Sequence, residues 1–479
     1  MRLSKTLWLA VAICAIVFSL VAFWRFSSGS LLSDFRAFYC AGQLSLHAID
    51  PYRQEPLYSC EARQVAPILW HAVGHVTDPA PLPPYALALF VPLSLLPFAV
   101  AAVTWTLVLV AAWVAVIVAL RILTGYPWSA LVAAVLFAAT MSLSLGQLAP
   151  VAIALTTVAA LLLYYERPVW AGAVTALALV EPHVALPSCI AVFLAVRRSR
   201  LPLVFVALAL AAVSMLFGAQ RNIEYVLYVL PAHALSDVPD VGQYSLTVLA
   251  HVLGLSDGGA AHAGTLWYLI IGALGIATAC RVAKRLAFQP LVVALPVAFA
   301  VFGGPYVHWQ QVAGAIPAAL LLASRERRAS PLLTAAIVGL AVPWLYAVGW
   351  GFLIPGAVAV LGIIVWELCK RRPVVMAVTI AAAFAILLLL NHALSNTSPS
   401  PPFAIAVSPN AWADESWGAY VRARIPIGSG LLFWLHVPTW CALAGVVASG
   451  MRAAWGTLRP VRFAVMPGER VVGSLGQGS

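Results

Sequence analysis

The feature that most limits what this chain can fold into is its long, unbroken apolar runs. Stretches of about 20 such residues are what an α-helix needs to cross a bilayer. Of its 479 residues, 63% are hydrophobic and only 9% charged, more apolar surface than a soluble core of this length can hide. The runs do not alternate with polar residues, which excludes an outer-membrane barrel. The expected class is an all-α polytopic membrane protein. Spans are expected near 7–26, 98–120, 129–145, 150–165, 168–180, 184–196, 201–218, 265–283, 290–304, 310–323, 331–348, 351–368, 374–394 and 431–451. The short pair at 168–180 and 184–196 reads as two half-helices. Pro83 to Leu96 reads as a helix on or dipping into the membrane. The run from Leu7 to Trp24 is longer than a secretory h-region and has no clean small-residue cleavage site, so it is read as a retained first span. A single integral membrane domain over 1–479 is expected.

Basic residues set the expected orientation, because Lys and Arg collect in cytoplasmic loops. With the spans above, 20 of the 27 Lys and Arg and 4 of the 16 acids fall on one side, +16 against −5 on the other. That side becomes the cytoplasm, holding both termini and the tail from 452 to 479. The net charge of +11 is therefore accounted for without a nucleic-acid partner. The opposite, extracytoplasmic face carries the long connections 27–97, 219–264 and 395–430. Of seven cysteines, five fall in or directly beside spans and two, Cys40 and Cys60, share the first outer loop. An oxidising compartment would allow them to bridge, contributing about 3 kcal/mol if they did; the sequence leaves both states open.

Ser33 to Tyr52, SDFRAFYCAGQLSLHAIDPY, follows the first span and sets Asp34 and Asp50 among aromatic residues at a membrane surface. Ionisable groups beside a span are functional candidates by default. Further polar residues reach the same face: Arg36, Gln147, Glu181, His183, Gln243, His308, Gln310, Asp414 and Glu415. Each has a plainer reading. Ser33 or Asp34 can cap a helix, Arg36 can snorkel and Asp50-Pro51 can make a turn. Tyr39 and Tyr52 can belong to an interfacial belt, and the glutamines and histidines can bond between helices. Trp412 and Trp417, beside Asp414 and Glu415, are a possible acceptor-sugar surface. No Walker loop, zinc-ligand spacing or Asp-x-Asp motif is visible, so no metal and no cofactor is expected.

Asp34-Phe35, Phe38-Tyr39, Ala41-Gly42 and Asp50-Pro51-Tyr52 resemble the opening of the family 87 glycosyltransferases of the GT-C type. Pro83-Pro84 with the stretch to Pro97, Gly146-Gln147, Gln243-Tyr244-Ser245-Leu246 and Pro305-Tyr306-Val307-His308 extend the resemblance over roughly residues 30 to 325. It implies a GT-C fold of about 12–14 transmembrane helices and an extracytoplasmic active site. The implied reaction moves a sugar, mannose in the nearest reading, from a polyprenyl-phosphate-sugar donor to a hydroxyl of a glycolipid or cell-envelope glycan in the plasma membrane. Asp34 would be the general base of an inverting transfer. Arg36, Tyr39, Asp50, Tyr52, Gln147, Glu181, His183, Gln243, His308 and Gln310 would bind substrate. Two positions depart from the family: Ala149 replaces an Asn, and Glu181-Pro182 replaces Lys-Pro. A lysine suits a phosphate, whereas a glutamate repels one unless protonated. Competing readings are a pentosyltransferase using polyprenyl-phosphate arabinose, a lipid or glycan transporter, and an inactive assembly subunit.

Overall fold

The computed structural model describes residues 32–64, 77–240, 242–325, 330–345, 354–368, 381–389, 408–424 and 434–456. The expected first span, most of 374–394, and the tail beyond 456 lie outside them. The described chain is helical, without a strand; its only bridges are the isolated antiparallel pairs Arg53–Trp412 and Gln243–His308. Two short helices come first, α1 (Ser33–Leu46) and α2 (Gln54–Arg63). Then follow α3 (Phe98–Thr124), α4 (Trp128–Leu145), α5 (Ala149–Tyr164), α6 (Pro168–Leu177), α7 (Pro182–Ala195) and α8 (Arg200–Met215). The second half holds α9 (Leu230–Ser236), α10 (Asp257–Leu286), α11 (Pro290–Gly303), α12 (Ala315–Ser324), α13 (Pro331–Ala341) and α14 (Ile354–Leu368). It ends with α15 (Ala413–Arg424) and α16 (Val437–Trp455).

Among the described residues, four helical segments, 98–124, 128–145, 197–215 and 257–286, are long and apolar enough to cross a membrane. Shorter apolar helices pack among them, including α5, α7 and α11. On α3, Val103, Leu107 and Val114 are more than half exposed, while Trp105, Leu109 and Val116 are buried. That division gives one helix a lipid side and a protein side. Helix packing within a bilayer depends on close approach rather than on the hydrophobic effect. Gly275 of α10 shows it: a Cβ there would stand 2.5 Å from Cβ of Phe299 on α11.

Two expected elements differ. Pro83 to Leu96 is not one helix but two single turns, Pro84–Leu87 and Val91–Ser94, because prolines at 83, 84 and 92 interrupt the ladder. Helix α10 starts at Asp257, eight residues before the expected span, with Ser256 accepting from the Gly259 N–H at 3.2 Å. The half-helices do form: α6 runs into a 3-10 turn at Ala178–Val180, and α7 restarts at Pro182.

Helix α1 lies over this bundle. Phe35, Phe38, Phe90, Trp105 and Leu148 bury each other in a core of their own. Full burial of a side chain such as Phe35 contributes about 2–3 kcal/mol. Cys40 and Cys60 form a disulfide that ties α1 to α2, settling a pairing the sequence left open. The 408–424 segment is tied back to residues 52–54. Gln54 donates to the Ala411 carbonyl, Ala413 donates to the Tyr52 carbonyl (both 2.9 Å), and the Arg53 guanidinium lies 3.5 Å over the Trp412 ring.

Candidate active site

The first residues of α1 and the turn between α4 and α5 meet by necessity of shape. Helix α4 ends at Gly146 with φ +75°, a left-handed C-terminal position that glycine adopts freely. A Cβ on Gly146 would also stand 2.5 Å from that of Phe35. Only glycine lets the turn sit against α1, and the Trp105 indole fixes it by donating to the Gly146 carbonyl at 2.8 Å. The next residue, Gln147, then donates its amide to Asp34 Oδ2, while Ser33 Oγ donates to Oδ1 at 3.0 Å. Burial and the nearby Asp78 push the Asp34 carboxyl up to about 7, against the opposing pull of Ser33, His308 and Arg36. A carboxyl tuned there can take a proton at neutral pH.

Arg36, two residues on, is 6% exposed and pairs with Asp78 at 2.7 Å, with Glu61 Oε2 at 4.0 Å. Glu61 also accepts from the Asp78 backbone N–H at 3.1 Å. Burial drives Glu61 well above the carboxylate range, and Asp78 adds to this. Three carboxyls around one guanidinium cannot all ionise in such a place. Arg36 is therefore committed to the scaffold beneath Asp34, not turned toward a ligand.

The second half of the site is built on residues 237–240, 242–247 and 305–311. Tyr244 N–H donates to the Val307 carbonyl, and Val307 N–H donates to Gln243 Oε1, both at 2.6 Å. The Gln243 amide nitrogen donates to Asp237 Oδ2 at 2.8 Å and lies 3.1 Å from His308 Nε2. His308 Nε2 is 3.3 Å from the same Asp237 oxygen, and its Nδ1 is 3.9 Å from Asp240. Burial alone would lower His308. The hydrogen bond and charge of Asp237, with Asp240 and Asp34, outweigh it and raise the imidazole to about 9. His308 is thus a cation at neutral pH, 27% exposed at its side chain.

Glu181, at the break between α6 and α7, is buried and accepts from the Gln311 amide at 3.3 Å. Burial lifts it to about 7, opposed by Gln311, His308 and His233. His183 Nε2 stands 3.5 Å from Glu181, but this nitrogen has no hydrogen-bond geometry to it. The His183 and His233 rings both lean on Tyr306, at 4.8 and 4.7 Å.

Asp34, Gln147, Glu181, His183, Gln243 and His308 thus gather around the two loops and the start of α1. Other expected residues go elsewhere. Tyr39 and Tyr52 are buried and donate to the Leu96 and Leu82 carbonyls, at 2.9 and 2.7 Å. Asp50 accepts from the Tyr52 N–H at 3.0 Å and pairs with Arg53 and Arg221 at 3.3 and 3.0 Å, which is the turn its Asp-Pro sequence allows. Gln310 is 5% exposed. Trp412 has Arg53 on its ring and Tyr228 stacked at 6.0 Å, so its aromatic surface is spent on the fold. The sequence reading missed Glu61, Asp78, His233, Asp237, Asp240 and Gln311. The Asp237-x-x-Asp240 spacing in an outer loop was the one available signal.

Asp237, Asp240 and His308 bring ligand-type atoms within 4.8 Å of one another. The imidazole lies between the carboxylates with one nitrogen toward each. A poised carboxyl held opposite a fixed cation suits transfer of a group from an anionic carrier to a hydroxyl. No curated protein matches the chain in sequence. Residues 82–305, the segment that builds the Gly146 turn, the half-helix break and the Gln243 loop, match the family model of glycosyltransferase family 87, a match that supports a membrane glycosyltransferase of the GT-C type.

Proposed function

We propose that the protein transfers a hexosyl group, mannose in the nearest reading, from a polyprenyl-phosphate-sugar donor to a hydroxyl of a glycolipid or cell-envelope glycan. The observation that carries this is that Asp34, held by Gln147 and Ser33, and the imidazolium of His308, held by Asp237, lie near enough for each charge to act on the other. Asp34 removes the acceptor's hydroxyl proton as the oxygen attacks the anomeric carbon. A new C–O bond forms there while the bond to the donor phosphate breaks, and the electron pair leaves on polyprenyl phosphate. Attack opposite the leaving group inverts the anomeric centre. The leaving phosphate gains negative charge, and His308 stabilises it. Glu181, lifted by burial to about 7, loses its proton over the same range as Asp34, so at the position of the family's lysine this chain offers the phosphate no cation and relies on His308. No step in this reading calls on a metal.

The site is placed on the extracytoplasmic face of the plasma membrane, with both termini inside. Support comes from the excess of Lys and Arg on the other side and from the Cys40–Cys60 disulfide, which persists in an oxidising compartment. The deciding experiment measures sugar transfer from radiolabelled polyprenyl-phosphate mannose to native lipid extract, with wild type and Asp34→Asn. Loss of about 10²–10⁴-fold in the variant, equally folded, supports Asp34 as base. Equal transfer by both proteins removes Asp34 from the chemistry.

A further inference from the structure

His233 and Asp414 have no part in the reading above, yet they continue its charges into the protein. His233 Nδ1 is 2.9 Å from Asp414 Oδ1, and its Nε2 is 3.3 Å from Asp237 Oδ2. That Asp237 oxygen is the one His308 also faces at 3.3 Å. The chain of groups runs Asp414, His233, Asp237, His308, Asp240, acid alternating with imidazole. His233, Asp237 and Asp414 are all buried. Asp414 belongs to α15, which packs against α9 and lies far beyond the family-matched segment ending at 305.

The sum of charges gives this line a purpose. Asp237, Asp240 and His308⁺ alone come to −2 + 1 = −1, a site that repels phosphate. An imidazolium at His233 brings these four groups to zero and leaves the net −1 of the whole line (−3 + 2) at Asp414, beyond the His233 ring from His308. Both ring nitrogens of His233 face carboxylates, so both must carry protons to be satisfied. A neutral ring would set a nitrogen lone pair against a carboxylate oxygen. Asp414 supplies the second acceptor, on the side of the ring away from Asp237. The groups that face His233 are Asp237 from its own turn, Asp414 from α15, His308 and Tyr306 from the 305–308 loop, and Glu181 and His183 from the half-helix break. Burial pulls its pKa down, but Asp237 and Asp414 outweigh that and leave it raised.

The geometry points to His233 and Asp414 as positioning residues of the donor-phosphate site: Asp414 keeps His233 protonated, and His233 offsets Asp237 so that the charge of His308 is left for a phosphate monoester. This rests on the reading of the site as one that takes a polyprenyl-phosphate donor. Segment 408–424 is then part of the active site and not an accessory strap.

The test uses the full-length protein in lipid nanodiscs and decaprenyl monophosphate as a sugar-free probe, with binding measured from pH 6 to 10. Asp414→Asn keeps an oxygen that can accept from Nδ1 but removes the charge. It is expected to bind about 3–10-fold more weakly at pH 8, with its alkaline loss of binding displaced about one unit to lower pH. Asp414→Glu is expected to restore the wild-type curve. Trp412→Ala loosens the same segment without touching the acid–imidazole line and should leave the alkaline limb in place. If Asp414→Asn does not fold, His233→Gln serves instead, since it cannot carry charge; the same weakening is expected. A wild-type curve for the variant, or an equal displacement in Trp412→Ala, overturns the proposal. His308→Gln separates the two levels. If it weakens binding while Asp414→Asn does not, only this inference fails. If wild type binds no decaprenyl monophosphate, or His308→Gln binds as wild type does, the donor reading fails and takes this one with it.

Discussion

Asp34 and His308 titrate in opposite senses for catalysis, and their surroundings set the window between them. Asp34 is a base only once its proton is lost, which occurs as pH rises through about 7. His308 is a cation only while it keeps its proton, which it loses as pH rises through about 9. Transfer should therefore follow a bell with its maximum near pH 8, the limbs being macroscopic values of an interacting cluster. A flat profile of initial transfer rate between pH 6 and 10 would contradict both assignments. Gln147 sharpens the test, because its amide donates to the charged form of Asp34. Gln147→Leu removes that donor, so the acid limb should move to higher pH and transfer should fall about tenfold.

At the scale of elements, the placement of α1 depends on two local devices. Gly146 gives the turn its left-handed φ and the room for Phe35. Gly146→Ala forces strain and overpacking together, with an expected loss of about 1–3 kcal/mol and of most transfer. Thermal unfolding in detergent and the transfer assay read the two effects separately. The Cys40–Cys60 disulfide closes a 20-residue separation and pins α1 to α2. Cys40→Ser with Cys60→Ser should cost about 3 kcal/mol, seen as a lowered Tm that reducing agent does not lower further. An unchanged Tm would mean that the aromatic core around Phe35 and Trp105 holds α1 without it.

Across the whole molecule, the long apolar helices give the site a platform at one end of the bundle, while the Arg197–Arg200 turn lies at the other end of α7. Single cysteines placed at the exposed Arg198 and at Asp240 in a cysteine-free background should label from opposite sides of sealed cells. Asp240 is expected to react with an impermeant maleimide from outside and Arg198 only after permeabilisation. Labelling of both from one side would overturn the orientation drawn from Lys and Arg.

What the sequence by itself determined is whatever follows from local composition. Apolar runs forced helices because a bilayer leaves no other way to satisfy the backbone. The Pro182 start of α7 and Gly146 at the end of α4 marked helix ends, and Asp50-Pro51 marked a turn. Asp34, Gln147 and His308 stood out because polar groups beside membrane spans are costly. Tertiary structure alone decided partnership. Arg36 and Tyr39 have the residue types of ligand contacts, but their neighbours are Asp78 and the Leu96 carbonyl, 42 and 57 residues away. His233 and Asp414, 181 residues apart, form one clamp. Electrostatic tuning needs charges within a few ångströms, and no spacing along the chain records which distant loops the packing of helices brings that close.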